Sequence, residues 1–100
     1  MYKKRFVEMA KVGSIKGLDI QVYTDHKPEH FHIIKKDCFE LKVNIKTLSF
    51  IEYKWQKSGN EISSLEWKAV LNWLNKINVK NKKLTNYESI KFLWKSMNSN

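Results

Sequence analysis

The stretch Thr24–Ile34 reads TDHKPEHFHII. It holds all three histidines of the chain, His26, His30 and His32, and two carboxylates, Asp25 and Glu29, stand among them. Imidazoles and carboxylates at this density are the material of a metal or acid–base site. If the residues from His30 onward form a strand, those two apart share a face, their backbones about 6.5–7 Å apart. His30 and His32 then converge on one ion. His26, in a turn around Pro28, folds back as a third ligand. Three histidines around a divalent metal such as zinc leave a fourth position for water, whose pKa falls to about 7 there. Two histidines with Asp25 or Glu29 form instead the facial triad of a mononuclear iron site. Asp25 and Glu29 are also the candidate catalytic bases.

A plainer chemistry competes. Histidines two apart on an outward strand face are often solvated, and an Asp before a turn caps backbone N–H groups. No Ser or Cys nucleophile is marked beside the histidines. Cys38, the only cysteine, excludes an internal disulfide or a cysteine-built zinc site and packs as a small hydrophobe.

These residues need elements to position them. Residues 4–12 form a weakly patterned first strand, and Gly13 and Gly17 bracket a turn. Leu18, Ile20 and Val22 alternate with Asp19, Gln21 and Tyr23, the period of a strand buried on one face. Pro28 breaks that pattern. A strand follows with Phe31 and Ile33 on the core side and His30, His32 and Ile34 opposite, which leaves both imidazoles on the surface or in a cleft. Phe39, Leu41, Val43 and Ile45 mark the clearest strand; Ile51, Tyr53 and Trp55 mark another, on one face. After KSGN the period becomes 3.6. Ser63 with Glu66, and Thr85 with Glu88, fit capping boxes. They open helices at about 63–78, with the stripe Trp67, Val70, Leu71, Leu74 and Ile77, and 86–97, with Tyr87, Ile90, Leu93, Trp94 and Met97. Residues 78–83 are a lysine-rich break. The expected fold is α+β: a small antiparallel sheet of three to four strands (4–55), then two helices (62–97) packed on one face. The 100 residues make one domain.

Composition bounds the rest. No run approaches the roughly 20 apolar residues of a membrane span, and no apolar segment follows the first basic residues as in a secretory signal. A cytoplasmic protein is expected. The net charge of +9 makes nucleic acid a partner to consider. Eighteen of the nineteen cations are Lys, however, and Arg5 stands alone. Readers of bases favour the guanidinium fork, so any such binding is electrostatic.

The run DHKPEHFHI, preceded by LDIQVYT and followed by LKVNI, resembles the bacterial domain-of-unknown-function family 4160, whose members carry a His-x-Pro-Pro-His-Phe-His run after a strand. LNWLNK and LWKSMN resemble that family's helix and C-terminal Trp, so the resemblance runs from about Gly17 to Met97. It falls on His26, Pro28, His30, Phe31 and His32, which it marks as the binding surface. Glu29 departs from it, standing where the family has a second Pro, and the break between the helices is longer. The resemblance implies no transferable activity. It implies an operon partner, in an arrangement similar to toxin–antitoxin pairs. Three functions follow in order: a binding module acting with a protein partner or nucleic acid in a toxin–antitoxin-like or phage-defence-like complex; a metal-dependent hydrolase or nuclease with His26, His30 and His32 as ligands; and a structural subunit.

Overall fold

Alternation of apolar and polar residues decides the sheet. The computed structural model describes residues 8–98. In it β1 (Met9–Ile15), β2 (Leu18–Tyr23), β3 (His30–Lys35), β4 (Phe39–Asn44) and β5 (Phe50–Gln56) precede α1 (Ser64–Leu74) and α2 (Asn86–Asn98). Each strand pairs antiparallel with the next, in spatial order β1-β2-β3-β4-β5. The α+β class holds, but the sheet has five strands rather than three to four. The first strand accounts for part of the difference. It does not end at Gly13 but runs on to Ile15, and the turn is the pair Lys16–Gly17, both left-handed at φ 50° and 76°. That is a tight primed-type connection between Ile15 and Leu18, which pair. Of the expected span 4–12, residues 4–7 lie outside the described residues.

Register assigns the faces. Ile20 pairs with Ile33, and Ile33 with Leu41; Phe31 pairs with Val43. These residues are fully buried, together with Leu18, Val22 and Phe39. Val70, Trp73, Leu74, Ile90 and Trp94 belong to the same cluster, so both helices cover this face. α2 runs against β1, β2 and β3, and α1 against β1. No helix among the described residues is long and apolar enough to cross a membrane.

Both capping boxes form. Ser63 Oγ accepts from Glu66 N, and Ser63 N donates back to Glu66 Oε1; Thr85 and Glu88 do the same. α1 is shorter than its pattern, ending at Leu74 with Asn75 as its cap. Ile77 therefore leaves the stripe and is exposed, while Trp73, outside the expected stripe, is buried. The lysine-rich break carries a buried anchor. Asn78 Nδ2 donates to Asn86 Oδ1 and Val12 O, and Asn86 Nδ2 donates to Trp73 O. The two amides tie the loop to β1 and to the end of α1 through buried backbone carbonyls.

The two faces of β5 are also exchanged midway. A register shift between Glu40 and Leu41 adds an extra residue in β5, so Tyr53 pairs with Leu41 on the core face and Trp55 with Glu40 on the other. Tyr53 and Trp55 do not share a face as expected, because a bulge breaks the period of two.

Trp73 sits so close to β1 that a Cβ on Gly13 would lie 2.7 Å from its Cζ2. Gly13→Ala should destabilise the fold by about 1–3 kcal/mol through overpacking, and Trp73→Ala by about 3–5 kcal/mol. In the double variant the costs should fall short of their sum, because the alanine methyl then enters the space the indole leaves. Urea denaturation of the four proteins measures this; strict additivity would show that the two residues do not press on each other.

Candidate functional site

The face of the sheet opposite the helices carries the polar ends of the alternation. His32 pairs with Gln21 on one side and Lys42 on the other, His30 with Asn44, and Ile34 with Glu40. The imidazoles thus face away from Phe31 and Ile33, as period-two geometry requires. They are not on the surface, however: His30 is 3% exposed and His32 0%. Aromatic and long neighbours cover them. The Tyr23 ring stacks on His32, centroids 4.0 Å apart and 14° from parallel. His30 lies 5.1 Å from His32 on one side and 5.1 Å from Trp94 on the other.

The loop after β2 brings a carboxylate to this pair. Asn98, at the end of α2, donates from Nδ2 to Tyr23 O and accepts at Oδ1 from Asp25 N, which fixes where the chain leaves the sheet. Asp25 Oδ1 accepts from the backbone N–H of the next residue, His26, at 2.7 Å. Asp25 Oδ2 is then held 3.1 Å from His30 Nε2. Burial alone pushes the Asp25 carboxyl up; the His26 N–H, His30 and Lys42 outweigh it and hold the carboxyl below its ordinary value. His30 Nδ1 donates to Pro28 O at 2.7 Å, since a carbonyl only accepts. His30 Nε2 is therefore the nitrogen offered to Asp25.

His32 is held differently. Its Nδ1 lies 2.9 Å from Glu40 Oε2. The N–H is not directed at that oxygen, and neither ring nitrogen of His32 nor Glu40 Oε2 has an aligned hydrogen-bond partner among the described residues. Desolvation lowers the His32 pKa to about 4, outweighing the attraction of Glu40. Burial thus favours the neutral form of the His32 imidazole beside Glu40. Glu40 Oε1 accepts from Trp55 Nε1 at 3.2 Å. Tyr23 is pushed up to about 12, by burial first and by Glu40 second. Lys42 reaches Glu52 at 3.2 Å, and Lys54 Nζ lies 5.5 Å from the Tyr23 ring centre.

Five positions of the histidine run were expected to work together, and the fold separates them. Phe31 is buried on the helix side, so it is core and not binding surface. His26 and Pro28 are exposed in the loop and Glu29 is half-buried. The donor group that forms is Asp25, His30 and His32, with one ligand atom from each within 4.8 Å of the others. Asp25 takes the place expected for His26, because its turn aims the carboxylate inward. Glu40, Tyr23, Trp55 and Asn98 escape a reading of the run itself. The outward phase of Glu40 in β4 was visible, but the bulge that sets Trp55 opposite it was not.

Two cavities lie next to α2: one of about 210 Å³, lined by Val12, Asn78, Leu84 and Phe92, is away from the histidines, and one of about 170 Å³, lined by Lys27, Glu29, Trp94 and Asn98, adjoins the Asp25–His30 end. Comparison of the chain with protein-family models, curated proteins and solved structures finds no match.

The lowered pKa of His32 makes a pH prediction. Between the unfolded value near 6.5 and the folded value of about 4, the unfolded chain binds the extra proton, so stability falls as pH falls through that window. The melting temperature should drop from pH 7 to pH 4.5. In His32→Phe the drop should be shallower, with Asp25 still contributing below its ordinary value in the same direction. An equal slope in wild type and variant would show that His32 is not the titrating group.

Proposed function

We propose that this protein is a small binding module whose working surface is the helix-free face of the sheet. The observation that carries this reading is the polar chain on that face, which runs from buried to exposed: His32 to Glu40 to Trp55, whose indole is 42% exposed. Tyr23, Lys42 and Lys54 flank it. The hydrogen bond to buried Glu40 fixes the orientation of an exposed indole, and Trp is among the residues enriched at the energetic centres of protein interfaces. β5, the edge strand that carries Trp55, also exposes Ile51, while Phe50 turns to the helix side against Trp67.

A protein partner suits this surface best, since β5 offers an unpaired edge among the described strands together with apolar side chains. The resemblance to a family of operon partners points the same way, to a toxin–antitoxin-like or phage-defence-like pair. Nucleic acid is the second reading, favoured by the +9 charge and by Lys54 over the Tyr23 ring. The histidines would then organise the surface from beneath rather than touch the partner.

Co-expression with the product of the adjacent gene, followed by calorimetry, tests the first reading. Trp55→Ala should weaken the complex at least tenfold with an unchanged circular dichroism spectrum. Titration with a single-stranded oligonucleotide tests the second: Trp55 fluorescence should be quenched, with affinity falling steeply as salt rises. Equal binding by wild type and Trp55→Ala in both titrations would remove this face as the working surface.

A further inference from the structure

We infer that Asp25, His30 and His32 form a site for one divalent transition-metal ion, with Glu40 and the Pro28 carbonyl as its outer shell. The inference stands apart from the binding-module reading, since a surface can be organised with or without an ion.

The argument begins with what the imidazoles leave over. His32 is wholly buried, yet its ring nitrogens lack aligned hydrogen-bond partners among the described residues. An unpartnered buried nitrogen is costly in a packed protein, and such groups call for an unseen water or ion. On His30 the Nδ1–H is spent on Pro28 O, so the neutral ring presents the lone pair of Nε2 to Asp25 Oδ2, 3.1 Å away. Two acceptors do not approach so closely unless a positive charge lies between them. A metal ion bound by both atoms supplies it for both groups at once.

Geometry and second shell agree with that. Donors on one zinc-class ion, with bonds of about 2.1 Å, lie about 3.0–3.4 Å apart. The Asp25–His30 pair already has this spacing, and a His32 nitrogen falls within 4.8 Å of both. Histidine ligands characteristically pass their other N–H to a carbonyl or carboxylate, which orients the ring. His30 does so to Pro28 O, and His32 places Nδ1 2.9 Å from Glu40 Oε2, with Nε2 unpartnered. With Nδ1 beside Glu40, Nε2 is the nitrogen left over for an ion. Lys42 is the opposing charge. It sits nearer Glu52, at 3.2 Å, than Asp25, at 4.0 Å, and so leaves the carboxylate available. Two nitrogens and one oxygen select a borderline ion such as zinc, cobalt(II) or iron(II) over calcium or magnesium.

The test uses the whole chain, purified without a histidine tag and stripped with a chelator. Cobalt(II) should bind at one equivalent with visible d–d absorption, and zinc should displace it. Zinc at a hundredfold excess over its Kd should raise the melting temperature by roughly 10 °C. Asp25→Asn, which keeps the side-chain shape, should abolish the cobalt spectrum. Glu40→Gln should weaken binding about 10–100-fold. His26→Ala should leave both readings intact. His32→Ala removes a buried ring and is judged only alongside its circular dichroism, so Asp25→Asn carries the decision. Absence of a cobalt spectrum in the wild type would overturn the inference. So would an unchanged spectrum in Asp25→Asn, or loss of binding in His26→Ala with Asp25→Asn unaffected.

Discussion

The central strand of this sheet is buried on both faces, and that constraint organises everything around it. β3 has β2 and β4 on its flanks, the helices over Phe31 and Ile33, and a polar cluster over His30 and His32. Apolar residues on the helix side satisfy burial by packing alone. Imidazoles on the other side do not, because a buried polar atom without a partner costs about 1–3 kcal/mol. Each neighbour of the two rings answers that requirement in part. Pro28 O takes one N–H, Asp25 faces the second nitrogen of the same ring, and Tyr23 covers His32. What is left over, at His32 and Glu40, is the chemically open part of the molecule.

The helices reach the polar face only through their far end. Trp94 belongs to the apolar cluster and also lies against His30. One turn later Asn98 holds the backbone on both sides of Thr24. The docking of α2 therefore sets the position of Asp25, although no residue of α2 belongs to the cluster of donors. At its other end Tyr87 Oη of α2 donates to Ile45 O, just beyond β4.

Much of this was legible in the sequence where the signal is local. The period of two in Leu18–Tyr23 and Phe39–Ile45 found two strands and the correct inward faces. Ser63–Glu66 and Thr85–Glu88 found the helix starts, since a capping box is a four-residue pattern. The opposition of Phe31 to His30 and His32 followed from the same period. The misses are non-local. The bulge opposite Glu40 and Leu41 separates Tyr53 from Trp55, and nothing within β5 announces it. Trp73 looked like the wrong side of α1, because only the approach to Gly13 across the fold makes that position inward. The burial of the imidazoles depends on Tyr23 and Glu40, one strand away on either side.

The exchange of Asp25 for His26 in the donor group shows how a turn, rather than composition, chooses a ligand. Both side chains are available in a loop rich in candidates. Asp25 has a short carboxylate with two oxygens. One caps its own turn at His26 N, and the geometry of that hydrogen bond directs the other back over the sheet. The backbone N–H that His26 lends to Asp25 leaves the ring of His26 pointing out to solvent, where it is exposed. The bland role expected of an Asp before a turn, and the chemical role expected of a ligand, are consequently the same interaction. The cap positions the carboxylate, and the positioned carboxylate meets His30. Removing the cap without removing the charge would leave a carboxylate in the loop with no reason to face inward, so the site depends on a backbone hydrogen bond as much as on its donors.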